Sequence, residues 1–282
     1  MDLVAGATRI VIKVGASVLV GNRGILSNVA LRRIVNQIAP LYGQGKEIVL
    51  VTSGAIACGM EVLNLSTRPR RLPKLQAAAA IGQSKLMHAY EEFFHRRRIR
   101  TAQVLLTREG LEERSKRYRN ARNTLLELLA ERVIPIVNEN DTISTEEISF
   151  GDNDGLSAFV ARIVRADLLI LLTDVPGFFI THGTRRRLLR AVPRITPYLY
   201  QHCYGHNGHT TVGGMPSKLN AARLATRAGI PMILADGSHA KSLKRLFAGE
   251  CEGTAFLSPR QRALLRERVA GKEGAIRWDD RP

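Results

Sequence analysis

The sequence predicts an α/β protein: a three-layer α/β/α sandwich with a largely parallel central sheet. Three observations carry this expectation. Short runs of Val, Ile and Leu alternate along the chain with longer segments of helical spacing. The runs are apolar at successive positions, as in strands covered on both faces, and such strands belong to parallel sheets. Several of them end in Gly, Ser, Thr, Asn or Asp, the residues expected where strands give way to turns and sites.

The elements follow in order. Residues 9–14 (RIVIKV) read as a buried strand ending in Gly15-Ala16-Ser17. Residues 28–41 set Leu31, Ile34, Val35 and Ile38 on one helix face and stop before Gly43. Residues 47–51 form a second strand, ending in Thr52-Ser53-Gly54-Ala55, with a helix to about 63. A basic loop at 66–73 leads into a long helix, 74–97, containing AAAAIGQSKLM. Residues 101–106 read as a third strand, 120–131 as a helix, and 133–137 as a fourth strand broken only by Pro135. That strand passes into Asn138-Glu139-Asn140-Asp141, and a second polar cluster, Asp152-Asn153-Asp154, stands between Gly151 and Gly155. A helix over 155–165 follows, then the most apolar strand, 167–173, ending in Asp174. Residues 175–215 are the least regular stretch. A helix opens at Pro216 and closes near Gly229, the usual asymmetry of proline at the start and glycine past the end. Residues 230–235 form a strand, 242–247 a short helix and 253–256 a short closing strand. No linker divides the chain before residue 258, so 1–257 is expected as one domain and 258–282 as a basic tail.

Composition narrows the function classes. No apolar run reaches membrane-spanning length, and the N-terminus lacks the order of charge, apolar stretch and cleavage site of a signal peptide. Cys58, Cys203 and Cys251 are far apart, with no C-x-x-C, which points to a reducing, cytoplasmic setting. The net charge of +17 attracts anions: nucleotides, acidic substrates or nucleic acid. The basic clusters are scattered, and aromatics make up only 5% of the chain, which weighs against a nucleic-acid surface.

Two carboxylate and amide clusters in series, 138–141 and 152–154, look like the wall of a site for a charged polar ligand. Asn and Asp also form turns, and Asp152 or Asn153 would serve as a helix cap. Gly213-Gly214-Met215-Pro216-Ser217-Lys218 feeds a helix N-terminus, a natural phosphate seat. Neither a P-loop nor a dinucleotide fingerprint is present. Lys13, between Ile12 and Val14, must reach an exposed strand end or meet a carboxylate, because an unpaired buried charge is costly; the plainer reading is a snorkelling edge lysine. Lys13 and Lys218 converging on a transferred phosphoryl group would stabilise its charge, with Asp154 holding both ammonium groups.

The order of motifs resembles glutamate 5-kinase of the amino acid kinase superfamily. It runs K-x-G-x-S (13–17), V-T-S-G-A (51–55), A-x-G-Q (80–83), L-L-T (105–107), N-A-R (120–122), V-N-E-N-D (137–141), G-D-N-D-x-L-S-A (151–158), L-L-T-D-x-x-G (171–177), G-G-M-x-[ST]-K (213–218) and A-G-I (228–230). The resemblance covers about residues 9–257. It implies the amino acid kinase fold and transfer of the ATP γ-phosphoryl group to the side-chain carboxylate of L-glutamate, the first step of proline synthesis. By that pattern Ser53, Asp141 and Asn153 would bind glutamate, and Lys13 and Lys218 would attend the phosphates. Asp154 would orient the lysines. Thr173, Asp174 and the stretch Val212, Gly213, Gly214, Met215, Pro216, Ser217 and Lys218 would hold ATP, which arrives with Mg²⁺.

The resemblance further implies a homo-oligomer, dimer or tetramer, with L-proline as feedback inhibitor. It also implies functional coupling to glutamate-5-semialdehyde dehydrogenase and no membrane partner. The alternatives are another kinase of the same fold acting on a carboxylate or phosphate, or a non-catalytic relative whose charge binds nucleic acid. Many bacterial members continue into a C-terminal PUA domain, which the sequence is expected to lack. Departures from the pattern fall on the nucleotide side: Thr211-Val212 before the glycine turn, and FFITHGTRRRL in place of a D-P turn. No protein-held metal is expected; His202, Cys203, His206 and His209 match no standard structural zinc spacing.

Overall fold

The computed structural model describes residues 3–21, 25–107, 115–143, 153–182, 185–203, 214–250 and 253–270. The chain runs β1 (Arg9–Val14), α1 (Ala16–Leu19), α2 (Asn28–Gly43), β2 (Glu47–Val51), α3 (Ala55–Val62), α4 (Leu72–His95), β3 (Arg100–Leu106), α5 (Lys116–Ala130), β4 (Val133–Glu139) and α6 (Asn153–Ile163). It continues β5 (Leu168–Thr173), β6 (Phe179–His182), β7 (Arg185–Leu188), β8 (Ala191–Val192), α7 (Pro197–Gln201), α8 (Met215–Arg227), β9 (Met232–Asp236), α9 (Ser242–Phe247), β10 (Thr254–Phe256) and α10 (Pro259–Ala270).

Eight strands form one sheet in the order β3-β4-β2-β1-β5-β9-β10-β8. From β3 to β9 every pairing is parallel; β10 turns back antiparallel on β9, and β8 pairs parallel to β10. The period of two along each strand sorts side chains into two core layers. Ile10, Ile12, Ile48, Leu50, Ile170 and Leu172 face one layer with residues of α2, α4 and α9. Val11, Val49, Val51, Leu169 and Leu171 face the other with residues of α5, α6 and α8. This is the expected sandwich.

Local chemistry explains the element ends. Ser27 accepts the Ala30 N–H and caps α2, and Ser115 accepts the Tyr118 N–H and caps α5. Pro135 lies inside β4, between two neighbours. The ladder to β2 is formed only at Leu50↔Ile136 and Val51↔Val137, past the proline, which has no N–H to give. Helices α3 and α4 touch backbone to backbone: a Cβ built on Gly59 would lie 1.7 Å from the Ala78 oxygen, and one on Gly82 would lie 1.8 Å from the Ala55 oxygen.

Several expectations shift. Asn138 and Glu139 belong to β4 rather than to a loop after it, and α6 opens two residues early, at Asn153. The stretch expected to be irregular holds the hairpin β6–β7, whose register pairs Phe179 with Leu188. Its strands are only four residues each and β7 is Arg-rich, with the Arg186 guanidinium 4.0 Å from the Phe179 ring, so no apolar alternation marks them. In the expected basic tail, RQRALLRERV looks helical in the sequence, and α10 covers it.

Candidate active site

Alternation along β1 sends Lys13 to the layer of α6 and α8. Asp154 stands in the first turn of α6 and Lys218 in the first turn of α8. Three distant parts of the chain therefore meet. Lys13 Nζ lies 2.5 Å from Asp154 Oδ1, and Lys218 Nζ donates to Asp154 Oδ2 at 3.1 Å. Asp154 is 0% exposed, Lys13 6% and Lys218 8%. The edge-lysine reading of Lys13 fails here, because β1 is the fourth of eight strands. A carboxylate in the first turn suits the helix dipole, whereas Lys218 sits against it and relies on Asp154. One carboxylate lies between two ammonium groups, so the three side chains together carry +1.

Next to this trio runs a chain of buried amides. Asn153 Nδ2 donates to the Thr52 carbonyl at 2.6 Å, to Ser53 Oγ at 3.1 Å and to Asn138 Oδ1 at 2.8 Å. Asn138 Oδ1 also accepts the Glu139 N–H at 3.0 Å, and Asn138 Nδ2 donates to Gln83 Oε1 at 2.7 Å. Behind the turn, Thr52 Oγ1 meets the buried Tyr90 hydroxyl at 2.9 Å. Gly54 takes φ +106°, the left-handed region that favours glycine, and opens α3. Thus Ser53 and Asn153 belong to one hydrogen-bonded polar cluster, and the cap reading of Asn153 yields to a tertiary one. Asp141 follows the end of β4; burial pushes its carboxyl up to about 6, with the Arg68 guanidinium pulling it back.

On the other side, Gly15 N–H donates to the Leu172 carbonyl, so β1 and β5 end side by side. Thr173 is buried, and its hydroxyl donates to Asp174 Oδ1 at 2.9 Å; Asp174 is exposed. The Thr173 carbonyl accepts the Gly237 N–H at the end of β9. Gly214 caps α8 with extended backbone, and Met215, Pro216 and Ser217 form its first turn with Lys218. Val212 and Gly213 lie outside the described residues, as do His206 and His209 of the His/Cys cluster. His202 Nδ1 accepts the Thr181 N–H at 3.3 Å, and burial pushes the Cys203 thiol up to about 11. Among the described residues no three His, Cys, Asp or Glu side chains gather as a metal site, and no helix is long and apolar enough to cross a membrane.

A sequence model of the amino acid kinase family matches residues 8–236. This chain belongs to the amino acid kinase family. It is 47% identical to a glutamate 5-kinase of Moorella thermoacetica, over 93% of this chain and 70% of that protein. It is 43% identical to a glutamate 5-kinase of Deinococcus radiodurans, over 92% of this chain and 72% of that one. Within the amino acid kinase family the chain thus stands among the glutamate 5-kinases. A carbamate kinase from Giardia lamblia, bound to AMP-PNP, shares the fold with TM-score 0.63 and 17% identity, over 90% of this chain and 99% of that one.

Sequence reasoning placed Asn138 in the polar cluster 138–141 of the site wall but assigned no role to Gln83 or Tyr90. A signal for Gln83 exists: it is a polar side chain in an alanine-rich helix, directly after the glycine that touches α3.

Proposed function

We propose that this amino acid kinase transfers the γ-phosphoryl group of ATP to the side-chain carboxylate of L-glutamate, giving L-glutamyl 5-phosphate and ADP. The observation that carries the reading is the buried trio, with Asp154 gripping the Lys13 and Lys218 ammonium groups at 2.5 and 3.1 Å. Two fixed cations with a net +1 suit a transferred phosphoryl group, whose catalysis rests on positioning and charge stabilisation. A carboxylate oxygen attacks phosphorus, the bond from phosphorus to the bridging oxygen of ADP breaks, and ADP leaves with that electron pair. The acceptor is already ionised at neutral pH, since carboxylic acids titrate near 4, so no general base is required.

Ser53, Asn153 and Asp141 would hold the amino acid, with Asp141 facing its ammonium group. Thr173, Asp174 and the start of α8 would hold the nucleotide. Mg²⁺ would enter on the phosphates, since it keeps phosphate oxygens and water among its ligands.

The test is ADP release from Mg-ATP with L-glutamate, beside aspartate, N-acetylglutamate and UMP, in wild type and Lys218→Ala. Glutamate-dependent turnover should fall at least ~100-fold in the variant. Turnover that prefers another acceptor, or a folded protein inert with all four, refutes the reading.

A further inference from the structure

The orientation of the buried amides follows from two backbone groups. The Glu139 N–H can only donate, so the atom it meets at 3.0 Å is the Asn138 oxygen. The Thr52 carbonyl can only accept, so the Asn153 atom at 2.6 Å is its nitrogen, which also donates to Asn138 Oδ1. Asn138 therefore turns its NH₂ to Gln83, whose Oε1 accepts at 2.7 Å. One group is left over. Gln83 Nε2 is buried, with no hydrogen-bond partner among the described residues. Gln83 is only 9% exposed, and its place is set by the backbone contact of Gly82 with Ala55, at the head of the turn that carries Ser53. A buried donor without a partner costs its full desolvation. Here it is fixed by its own oxygen, one amide away from Asn153.

We propose that Gln83 Nε2 donates a hydrogen bond to the carboxylate of the acceptor amino acid that is not phosphorylated, and so selects acceptors bearing two carboxylates. The inference rests on the kinase reading above. Such an acceptor brings one carboxylate to the lysines and one ammonium group to Asp141. Its second carboxylate needs a donor, and within the amide chain Gln83 holds the NH₂ still to be matched. Gln83 is then a specificity-determining contact, pre-organised by Asn138 on one side and by the α3–α4 crossing on the other.

The experiment compares wild type with Gln83→Glu, which keeps an oxygen for Asn138 and replaces the donor by an acceptor. KM for L-glutamate should rise about 10- to 100-fold, the loss of a hydrogen bond to a charged group, while KM for ATP stays the same. A structural prop for Asn138 would give the same rise, so a second readout is needed. 4-Aminobutyrate is glutamate without the α-carboxylate; its inhibition constant against glutamate should change less than about threefold in the variant. A KM for glutamate that does not move, or an inhibition constant that rises in step with it, overturns the inference. If circular dichroism shows Gln83→Glu unfolded, Gln83→Met takes its place in both measurements. A wild type without glutamate-dependent ADP release takes down the kinase reading and this inference together. An active wild type with an unchanged variant sinks the Gln83 contact alone.

Discussion

Asp154→Asn changes the site by little more than one charge. The side chain keeps its shape, yet its NH₂ would point a donor at one ammonium group, and the two lysines would lose their shared counter-charge. At 2.5 and 3.1 Å, with an effective dielectric near 20, the two attractions are worth roughly 7 and 5 kcal/mol before desolvation. Burial cancels most of that in the intact trio. Removing the partner keeps the cost without the attraction, and measured losses of this kind run about 3–5 kcal/mol. Asp154 is fully buried, so solvent cannot screen the change. The urea midpoint should drop by roughly 1–2 M. The lysines would also lose their alignment on the phosphoryl group, and kcat should fall at least ~100-fold. Urea denaturation followed by circular dichroism and ADP release at saturating substrates read the two effects separately. A variant with its midpoint unmoved and kcat within threefold of wild type would show that Asp154 does not hold the lysines.

Two further outcomes follow from the same geometry. Gly82→Ala would put a Cβ 1.8 Å from the Ala55 oxygen and 2.3 Å from the Gly59 nitrogen, both backbone atoms. The helices must part, at a cost of about 3 kcal/mol or more, and scanning calorimetry should show Tm lowered by roughly 6–12 °C; an unchanged Tm would refute the contact. Asp141 gives a pH dependence with two opposite signs. Its carboxyl is raised from 3.8 to about 6 by burial, so the folded chain holds the extra proton in that window, and this group's contribution to stability falls as pH rises through it. Binding of the acceptor's ammonium group needs the ionised form, so kcat/KM for glutamate should climb with pH up to about 6 and level off above. The limb should vanish in Asp141→Asn, and a wild-type profile flat across it would rule Asp141 out.

The sheet was legible because β1, β2, β4 and β5 are apolar on both faces and end in polar turns. Lys13 was legible as an anomaly, a charge where a core residue belongs, and the start of α8 as a helix N-terminus opened by proline. What a single sequence hides is contact between distant segments. The touch of Gly59 on Ala78 and of Gly82 on Ala55 leaves no local trace beyond small residues, which are common in helices. The amide chain from Thr52 to Gln83 joins four elements, and its members look singly like turn formers or a stray polar residue. Helix α1 is a single turn, too short to show periodicity, and the reversal of β10 depends on pairing rather than on pattern.

The crossing of α3 and α4 also bears on how this scaffold can drift or be re-engineered. Positions 55, 59, 78 and 82 behave as one heritable unit, because a side chain gained at either glycine must be answered by movement of the facing backbone. Variation aimed at a new acceptor has little freedom to slide α4 along the sheet. It has to act through the side chains that α4 presents, with residues 83 and 138 changing as a pair.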